Sequence, residues 1–444
     1  MTPGQPWAGR RLHFVGIGGA GMSGLALVAA QLGAAVTGSD RTAGSPYAGR
    51  LRDAGIAPVA GHDAGNVPEG AEVVVSSAIP ADNPERLVAR ERGLRELHRA
   101  QLLGELTRLR PTIAVSGTHG KTTTSSMLVH ALIGCGMEPA YLVGGEVRST
   151  GTNAAWGAGE WLVVEADESD RSLLSLSPAV AVLTNAELDH HTTYASRRDV
   201  DATFSAFLGL ATRAVVVWDR PDLLALAPGG IEVVPFDAEP ELVPGGARFA
   251  LDGARVELRV PGEHNARNAA AALVAARLAG ADVARAAEAL RSFEGAGRRF
   301  EVLGRSPSGA QVVDDYAHHP TEVAATLAAA RTLAPSRLIA VFQPHLYSRT
   351  QREAREFGAA LAAADLVVVL EVYPARERAE DFPGVSGLLV AQAAADAAGG
   401  RPVAWMRTPA NAEAFVRRRL RDGDLCLTLG AGDVDALGRA LVER

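Results

Sequence analysis

The sequence predicts an α/β protein of three domains, and three observations support this prediction. The chain of 444 residues exceeds what one hydrophobic core usually supports, and its 47% hydrophobic and 21% charged residues are ordinary for a globular protein. Short apolar runs alternate with helical segments along most of the chain, which is typical of parallel sheets covered by helices. Two glycine-rich loops each follow an apolar run and precede a helical segment.

The first predicted domain, residues 1–106, is Rossmann-like. The apolar runs RLHFVGIG, AAVTGSD and EVVVSSAI predict strands, and helical segments separate them. The loop GIGGAG, residues 16–21, matches the dinucleotide fingerprint, and Asp40 follows the next strand at the expected spacing. Such a loop brings backbone N–H groups close to a diphosphate at a helix N-terminus. It therefore indicates a nucleotide diphosphate, without specifying nicotinamide.

The central predicted domain, residues 107–295, begins at a second glycine loop. In IAVSGTHGKTTTSSML, residues 113–128, a strand, a glycine loop and a helix follow one another as in loops that wrap nucleotide phosphates. Val115 stands where the usual pattern has its first glycine. The runs WLVVEADE and AVAVLTN, a β-rich stretch from Ala214 to Val260 and a helix after GEHNARN complete a P-loop ATPase-like domain with a mostly parallel sheet.

The lysine content distinguishes a phosphate loop from a coincidental glycine turn. Of the 44 lysine and arginine residues, 43 are arginine, and the remaining one is Lys121 in the second glycine loop. A compact ammonium on a flexible stem can reach between phosphate oxygens where a planar guanidinium does not fit. The retention of a single lysine at this position favours phosphate binding.

Two further side chains follow strands of the central domain. Glu165 ends the run WLVVE, and His190 follows AVAVLTN. Each alone is explained by an exposed loop carboxylate or a surface histidine. Together with the hydroxyl of Thr122 or Thr123, they predict magnesium ligands beside the phosphates.

The third predicted domain, residues 296–444, is a doubly wound Rossmann-like sheet. Five apolar runs, AQVVDDYA, RLIAVFQP, LVVVLEVY, PVAWM and DLCLTLGAG, alternate with helical segments. Ligands of such sheets gather at the carboxyl ends of strands. The polar and glycine residues at these ends are Asp314, Asp315, Tyr316, His318, His319, His345, Arg349, Tyr373 and the run from Gly430 to Asp433.

Composition excludes several classes of protein. The net charge of −7 argues against a nucleic-acid footprint. The two cysteines, Cys135 and Cys426, provide neither a metal spacing nor a disulfide framework, which suits a reducing cytoplasm. No apolar stretch is long enough to span a bilayer, and glycines interrupt the apolar run near the N-terminus, so we expect a cytoplasmic protein.

A set of motifs along the chain resembles the ATP-dependent Mur ligases of peptidoglycan synthesis. The motifs are GIGGAGMSGLA, GTHGKTTT, EADESD, HNARNAAAA, GAGRRFE, DDYAHHPTE, FQPH, YSRT and GAGD, between residues 12 and 435. They are most similar to those of the branch that adds L-alanine to UDP-N-acetylmuramate. Several sister ligases hold a second magnesium with a carbamoylated lysine, and this chain has no lysine left for that role.

The resemblance implies a set of binding sites. The UDP-sugar would lie near Gly18, Gly19, Ala20 and Gly21, with Asp40, Ser76 and Ser77 nearby. ATP would contact Gly117, Thr118, His119, Gly120, Lys121, Thr122, Thr123, Asn265, Asn268, Arg299 and Asp315. Two Mg²⁺ ions would be held by Thr122, Glu165 and His190, and the catalytic residues would be Lys121, Glu165 and His190. L-alanine would be bound by Tyr316, His318, His345 and Arg349.

Two positions depart from the family pattern. Thr192 stands where an acidic residue is expected after the metal histidine, which leaves the outer shell of the second metal open. Leu346 stands where an arginine is expected, which moves more of the carboxylate recognition onto Arg349.

Three alternatives remain open at this stage. A murein-tripeptide ligase would share the chemistry but need a wider pocket around His345. A nicotinamide dehydrogenase built on the first loop leaves Lys121 unexplained, and a nucleotide-gated binding protein without turnover leaves the pairing of Glu165 with His190 unexplained. The sequence distinguishes neither alanine from glycine or serine nor a monomer from a homodimer.

Overall fold

The computed structural model describes residues 5–42, 44 and 47–443. These residues form two compact units. The first comprises the chain up to Asp237 together with Ala269–Ala289, and the second comprises Ala238–Asn268 together with the chain from Leu290 onward. Among the described residues, no helix combines the length and the apolar character that a membrane crossing requires.

The N-terminal part of the first unit is a five-stranded parallel sheet with the order β3-β2-β1-β4-β5. Its elements are β1 Arg11–Val15, α1 Ala20–Gln31, β2 Ala35–Asp40, α2 Ala48–Asp53, β3 Val59–Ala60, β4 Glu72–Val75, α3 Pro84–Glu91, β5 Glu96–His98 and α4 Arg99–Leu106. The first glycine loop connects β1 to α1, as the sequence predicts. The Rossmann-like arrangement is confirmed.

The rest of the first unit is a seven-stranded sheet with the order β12-β11-β10-β6-β9-β7-β8. Its elements are β6 Thr112–Ser116, α5 Lys121–Gly134, β7 Ala140–Val147, β8 Thr152–Ala155, β9 Leu162–Glu165, β10 Val180–Leu183, α6 Arg197–Leu208, β11 Ala214–Trp218, α7 Pro221–Leu224 and β12 Glu232–Phe236. Only β8 runs antiparallel to its neighbour. The central strands β6 and β10 are fully buried, which explains their continuous apolar runs.

A separate three-stranded antiparallel sheet begins the second unit, with β13 Glu241–Val243, β14 Gly246–Leu251 and β15 Ala254–Leu258. The predicted β-rich stretch therefore divides between two sheets, because only β11 and β12 join the parallel one. A tight turn makes β14 and β15 antiparallel rather than parallel: Asp252 and Gly253, between these strands, have φ of +50° and +80°. Positive φ at both turn residues is the geometry that reverses a strand into a hairpin.

The helices α8 Glu263–Leu278 and α9 Val283–Leu290 follow, and their residues are shared between the two units. The remaining elements are β16 Glu301–Arg305, β17 Gln311–Asp315, α10 Pro320–Arg331, β18 Arg337–Phe342, α11 Tyr347–Leu361, β19 Leu366–Leu370, α12 Gly387–Ala397, β20 Val403–Met406, α13 Pro409–Arg417, β21 Asp424–Leu429 and α14 Val434–Val442. They build a sheet with the order β16-β17-β21-β18-β19-β20. Its five parallel strands are the predicted ones, and the antiparallel edge strand β16 is additional.

Candidate active site

The second glycine loop lies between β6 and α5 and is fixed by the end of β10. Gly117 and Gly120 have φ of +139° and +80°, and a Cβ on Gly117 would lie 2.0 Å from the hydroxyl of Thr184. The backbone N–H of His119 donates to the side chain of Asn185 at 2.8 Å. Only glycine fits at residue 117, because a side chain there would be both strained and obstructed.

Lys121 begins α5 and folds back over its own loop. Its Nζ donates to the carbonyls of Gly117 and Thr118 at 2.7 and 3.1 Å, and lies 2.8 Å from a carboxylate oxygen of Glu168. Burial opposes the charge, but Glu168 and Asp167 outweigh it and raise the pKa of Lys121 to about 12. The ammonium is therefore charged at neutral pH. The carboxylate of Glu168 occupies the position next to it that a negatively charged phosphate would take.

Glu165, at the end of β9, faces the first turn of α5. It accepts hydrogen bonds from the hydroxyl of Thr122 at 3.1 Å and from the N–H of Gly144 at 2.7 Å. Burial raises the pKa of this carboxyl, and the charge of Lys121 opposes the rise. A carboxylate and a hydroxyl side by side are oxygen ligands of the kind that Mg²⁺ prefers, so the two side chains fit the predicted metal role.

His190 joins this group through Glu168, a residue that was not among the predicted site residues. The Nε2 atom of His190 lies 3.3 Å from Glu168 and 3.6 Å from Asp189. The side chain of Glu168 is only 3% exposed and contacts both Lys121 and His190. Its position in the acidic run EADESD was a visible signal, since a run of four acidic residues at a strand end exceeds what one metal ligand requires.

The other predicted residues of this loop have structural contacts. The hydroxyl of Thr118 donates to the carbonyl of Glu187 at 3.1 Å and accepts from the N–H of Glu187 at 2.8 Å. Thr123 is buried in the first turn of α5. The carbonyl of His119 accepts from the hydroxyl of Thr184 at 2.6 Å. These contacts stabilise the shape of the loop around Lys121.

The first glycine loop is fastened to the end of β2. The N–H groups of Gly16 and Ile17 donate to the carbonyl of Ser39 at 2.8 and 2.9 Å. The N–H of Gly18 donates to the carboxylate of Asp40 at 2.8 Å. Asp40 thus contacts the loop directly, which agrees with its predicted place beside it. Gly19, Ala20 and Gly21 lead from this loop into the first turn of α1.

Two hydrogen bonds join the N-terminal sheet region to the seven-stranded sheet region within the first unit. Ser77, in the turn after β4, donates to the carboxylate of Asp170 at 3.2 Å, and its neighbour Ser76 directly follows β4. Asn153 on β8 donates to the carbonyl of Ala20 at 2.9 Å, at the first turn of α1. The loop after β9, which carries Glu168 and Asp170, therefore lies beside Ser77, one of the predicted UDP-sugar residues.

In the second unit, two of the predicted ATP contacts, Asn265 and Asn268, are hydrogen-bonded to one another. Asn268 donates to the side-chain oxygen of Asn265 at 3.4 Å, and Asn265 donates to the carbonyl of Pro261 at 2.8 Å. Separately, the guanidinium of Arg299 lies over the ring of Tyr316, 5.2 Å from its centroid. Cation–π contacts of this length orient a guanidinium without neutralising its charge.

Asp315, at the end of β17, has a carboxyl whose pKa is strongly raised. Burial raises its pKa to about 6, although Arg299 and the N–H groups of Phe300 and Ala317 favour the charged form. Both N–H groups donate to its carboxylate at 2.8 Å. The group is thus fixed in place and can change charge near neutral pH.

A row of rings follows the strands β17, β18 and β19. The centroids of Tyr316 and His318 are 5.2 Å apart, those of His318 and His345 are 5.9 Å apart, and His345 stacks on Tyr373 at 5.9 Å. Arg349 is 3% exposed, and its Nη1 lies 3.4 Å from Nδ1 of His345. The four residues predicted to bind the amino acid are therefore neighbours, and Tyr373 extends the row.

The two departures from the family pattern differ in environment. Thr192 is exposed. Leu346 is buried, has a positive φ of +69°, and precedes α11. A buried aliphatic side chain offers no group to a carboxylate, so Arg349 is the cation next to His345 on this helix.

Comparison with known proteins agrees with this architecture. Three family models match consecutive segments: "Mur ligase family, catalytic domain" at residues 11–110, "Mur ligase middle domain" at 115–276 and "Mur ligase, glutamate ligase domain" at 298–432. The chain is 44% identical to the UDP-N-acetylmuramate–L-alanine ligase of Streptomyces griseus over 466 residues, covering 100% of this chain and 99% of the relative. It is also 44% identical to the ligase of the same name from Rubrobacter xylanophilus, covering 98% and 100%.

Solved structures show the same similarity. The UDP-N-acetylmuramate-alanine ligase of Thermotoga maritima has a TM-score of 0.82 at 29% identity, with 98% of each chain covered. A murein peptide ligase of Psychrobacter arcticus has a TM-score of 0.72 at 25% identity, again with 98% of each chain covered. Sequence and fold therefore agree along the whole chain, and the protein belongs to the Mur ligase family.

Proposed function

We propose that this protein is an ATP-dependent ligase that joins L-alanine to the lactyl carboxylate of UDP-N-acetylmuramate in peptidoglycan precursor synthesis. The observation that carries the proposal is the 44% identity over the full length to ligases of that name. The cluster of Lys121, Glu165 and His190 beside a phosphate loop supplies the side chains that this chemistry needs.

The reaction follows from the weak electrophilicity of a carboxylate. A carboxylate oxygen of the sugar nucleotide attacks the γ-phosphorus of ATP, ADP leaves, and an acyl phosphate forms. The neutral amine of alanine then attacks the acyl carbon, the amine loses a proton, and inorganic phosphate departs with the bridging oxygen. Lys121 neutralises charge on the phosphates, and positioning of the reactants supplies much of the acceleration.

The metal requirement is assigned to the group around Glu165. Thr122, Glu165 and His190 would hold two Mg²⁺ ions, whose contribution when bound is to neutralise the charge of the transferred phosphoryl group. Glu168 keeps Lys121 and His190 in place on either side of it. The glycine loop of residues 117–120 and Thr123 would enclose the phosphates. Asn265, Asn268, Arg299 and Asp315 are also assigned to ATP.

The remaining substrates are assigned to the other two groups of residues. Gly18, Gly19, Ala20 and Gly21 would approach the UDP diphosphate, with Asp40, Ser76 and Ser77 beside it. Tyr316, His318, His345 and Arg349 would surround alanine, with Arg349 pairing with its carboxylate. The domain boundaries 1–106, 107–295 and 296–444, the cytoplasmic location and the monomeric or dimeric state remain predictions.

The assignment is tested by product formation with a panel of acceptors. The enzyme is incubated with ATP, Mg²⁺, UDP-N-acetylmuramate and one amino acid, which is alanine, glycine or serine in separate reactions. The products are identified by mass spectrometry. We expect the alanyl sugar nucleotide, formed only when all components are present. Phosphate release with ATP alone would count against the ligase, and reduction of NAD would support a dehydrogenase.

A second candidate is a murein peptide ligase, because a solved enzyme of that kind matches 98% of the chain at a TM-score of 0.72. The same assay with L-alanyl-γ-D-glutamyl-meso-diaminopimelate in place of alanine separates the two. A higher kcat/KM with the tripeptide than with alanine would favour this candidate.

A further inference from the structure

The consecutive arginines of the GAGRRFE motif have different environments. Arg299 lies over Tyr316 and is assigned to ATP. Arg298 instead has every guanidinium nitrogen in a hydrogen bond within the second unit. Its Nε donates to Asp314 at 3.0 Å, its Nη1 to the carbonyl of Gly432 at 3.0 Å, and its Nη2 to the carbonyl of Gly430 at 2.8 Å. It therefore links the end of β17 to the loop that follows β21.

The partner carboxylate makes this link specific. Asp314 is fully buried, and its carboxylate accepts from the hydroxyl of Thr428 at 2.7 Å as well as from Arg298. A buried carboxylate requires a paired charge and hydrogen bonds, so Asp314 and Arg298 stabilise one another. A lysine would supply the charge but not three donors fixed in one plane.

The backbone of Arg298 is held as firmly as its side chain. Its φ is +57°, a left-handed backbone conformation that residues other than glycine rarely adopt. Its N–H donates to Glu301 at 2.8 Å, and its carbonyl accepts from the N–H of Tyr316 at 2.8 Å. A conformation of this kind persists only where the surroundings determine it.

The loop that Arg298 holds contacts the row of rings directly. A Cβ on Gly432 would lie 2.7 Å from the ring of Tyr373 and 2.3 Å from the side-chain oxygen of Gln343, so the loop backbone lies against both. Tyr373 is joined to the segment that carries His345, since its N–H donates to Pro344 at 2.8 Å and its ring stacks on His345. A shift of the loop would therefore displace the rings assigned to the amino acid.

We propose that Arg298 is a positioning residue for the amino-acid pocket, acting through the loop Gly430–Gly432 on Tyr373 and His345. Arg298 also lies 5.1 Å from the centroid of Tyr316, at the other end of the row of rings. It thereby fixes both ends of this row without contacting the amino acid. The inference rests on the proposed function, because that function assigns alanine to these residues.

The test compares steady-state constants for the three substrates in Arg298→Lys and Arg299→Lys. Arg298→Lys should raise KM for alanine by roughly tenfold and leave KM for ATP within about twofold of the wild type. Arg299→Lys should show the reverse pattern. Arg305→Lys, at an exposed arginine of β16, is the matched control and should change neither constant. Thermal unfolding of each variant is measured in parallel.

A second variant tests the loop without altering the arginine. Gly432→Ala places a methyl group against Tyr373 and should reproduce the rise in KM for alanine, with KM for ATP unchanged. If Arg298→Lys does not yield a folded enzyme, Gly432→Ala still tests whether the loop positions the amino-acid pocket. An unchanged KM for alanine in Gly432→Ala would then overturn the inference.

The outcomes separate this inference from the function on which it rests. A wild-type enzyme without alanine-dependent phosphate release would refute the proposed function. An active wild type with an unchanged KM for alanine in Arg298→Lys would refute the positioning role alone. Equal increases in KM for all three substrates, with a lower unfolding temperature, would show a general structural role and also overturn the inference.

Discussion

Glu168 is the residue at which the site differs most from its sequence-based prediction. Its nearly buried carboxylate lies 2.8 Å from Lys121 and 3.3 Å from His190, between two groups assigned to catalysis. Strand periodicity locates the end of β9 at Glu165 but does not indicate which later residue of the loop turns inward. The pairing implies that ATP phosphates must compete with Glu168 for the ammonium of Lys121.

Lys121→Arg should reduce phosphoryl transfer by about 100-fold or more, because the guanidinium is too broad for the loop around Gly117. The fold should change little, as measured by circular dichroism. Binding of UDP-N-acetylmuramate should also change little, as measured by calorimetry.

In a labelling experiment, an amine-directed reagent can label only Lys121 and the N-terminal amine, and Mg-ATP should protect Lys121. An arginine variant with wild-type turnover would remove the lysine from catalysis.

Glu168→Gln should lower kcat by roughly tenfold without raising KM for ATP. The amide keeps the shape of the side chain, but it removes the negative charge that orients His190. It also removes the carboxylate that competes with the ATP phosphates for Lys121. Glu160→Gln, the same change at an exposed position of the same unit, is the control and should have no effect. A higher KM for ATP with an unchanged kcat in Glu168→Gln would contradict this account.

Arg349→Lys should raise KM for alanine by about tenfold, because lysine offers charge without the planar pair of donors that matches a carboxylate. Constants for ATP should remain near those of the wild type. Arg352→Lys, at an exposed arginine of the same helix α11, provides the control. Unchanged alanine dependence in Arg349→Lys would exclude this residue from the pocket.

At the scale of elements, two buried carboxyls, one at the end of a strand and one on a helix, predict opposite pH dependences of stability. Asp315 at the end of β17 has a pKa raised to about 6 by burial, so the folded protein retains a proton that the unfolded chain releases near its usual pKa of 3.8. Its contribution to stability is therefore fully present below about pH 4 and is lost as the pH rises through about 6.

Glu85, on α3, has the reverse sign. Burial opposes its ionisation, but His13 and hydrogen bonds from Ser39 and Asn66, at 2.6 and 2.7 Å, lower its pKa to about 2. Its contribution is present above about pH 4.5 and is lost as the pH falls toward 2.

Urea unfolding of the two amide variants measures both effects. Relative to Asp315→Asn, the wild type should lose about 2 to 3 kcal/mol of unfolding free energy between pH 4 and pH 7. Relative to Glu85→Gln, the wild type should instead gain stability as the pH rises from 2 to 5. Differences that stay constant with pH, or that have the same sign in both pairs, would contradict these assignments.

The sequence predicted the buried central strands such as β6, β10 and β21, and it missed β3, β16 and the eight-residue strand β7. The five parallel strands of the C-terminal sheet have continuous apolar runs because helices cover both of their faces. By contrast, β3 has two exposed residues, and β16 has a register shift between Val302 and Gly304. The role of Arg298 was not predicted, because the motif contains two adjacent arginines. The two side chains have different environments because Arg298 has a left-handed backbone, which the sequence does not reveal.

At the scale of the whole molecule, the sequence assigned every predicted site residue to a domain but not to a compact unit. The residues around Lys121 and those after β1 share the first unit, whereas Arg299, Asp315 and the row of rings belong to the second. The motif HNARN at the start of α8 also falls in the second unit, although the sequence places it in the central domain. Apolar periodicity identifies a helix, but it does not show which core its first turn joins.

The central claim is that ligation proceeds through an acyl phosphate, and isotope transfer tests it most directly. UDP-N-acetylmuramate labelled with ¹⁸O in the lactyl carboxylate is incubated with ATP, Mg²⁺, alanine and the enzyme, and the released phosphate is analysed by mass spectrometry. Because the bridging oxygen leaves with phosphorus, we predict that each phosphate formed from doubly labelled carboxylate carries one ¹⁸O atom. Phosphate free of label, released together with the alanyl product, would contradict the account.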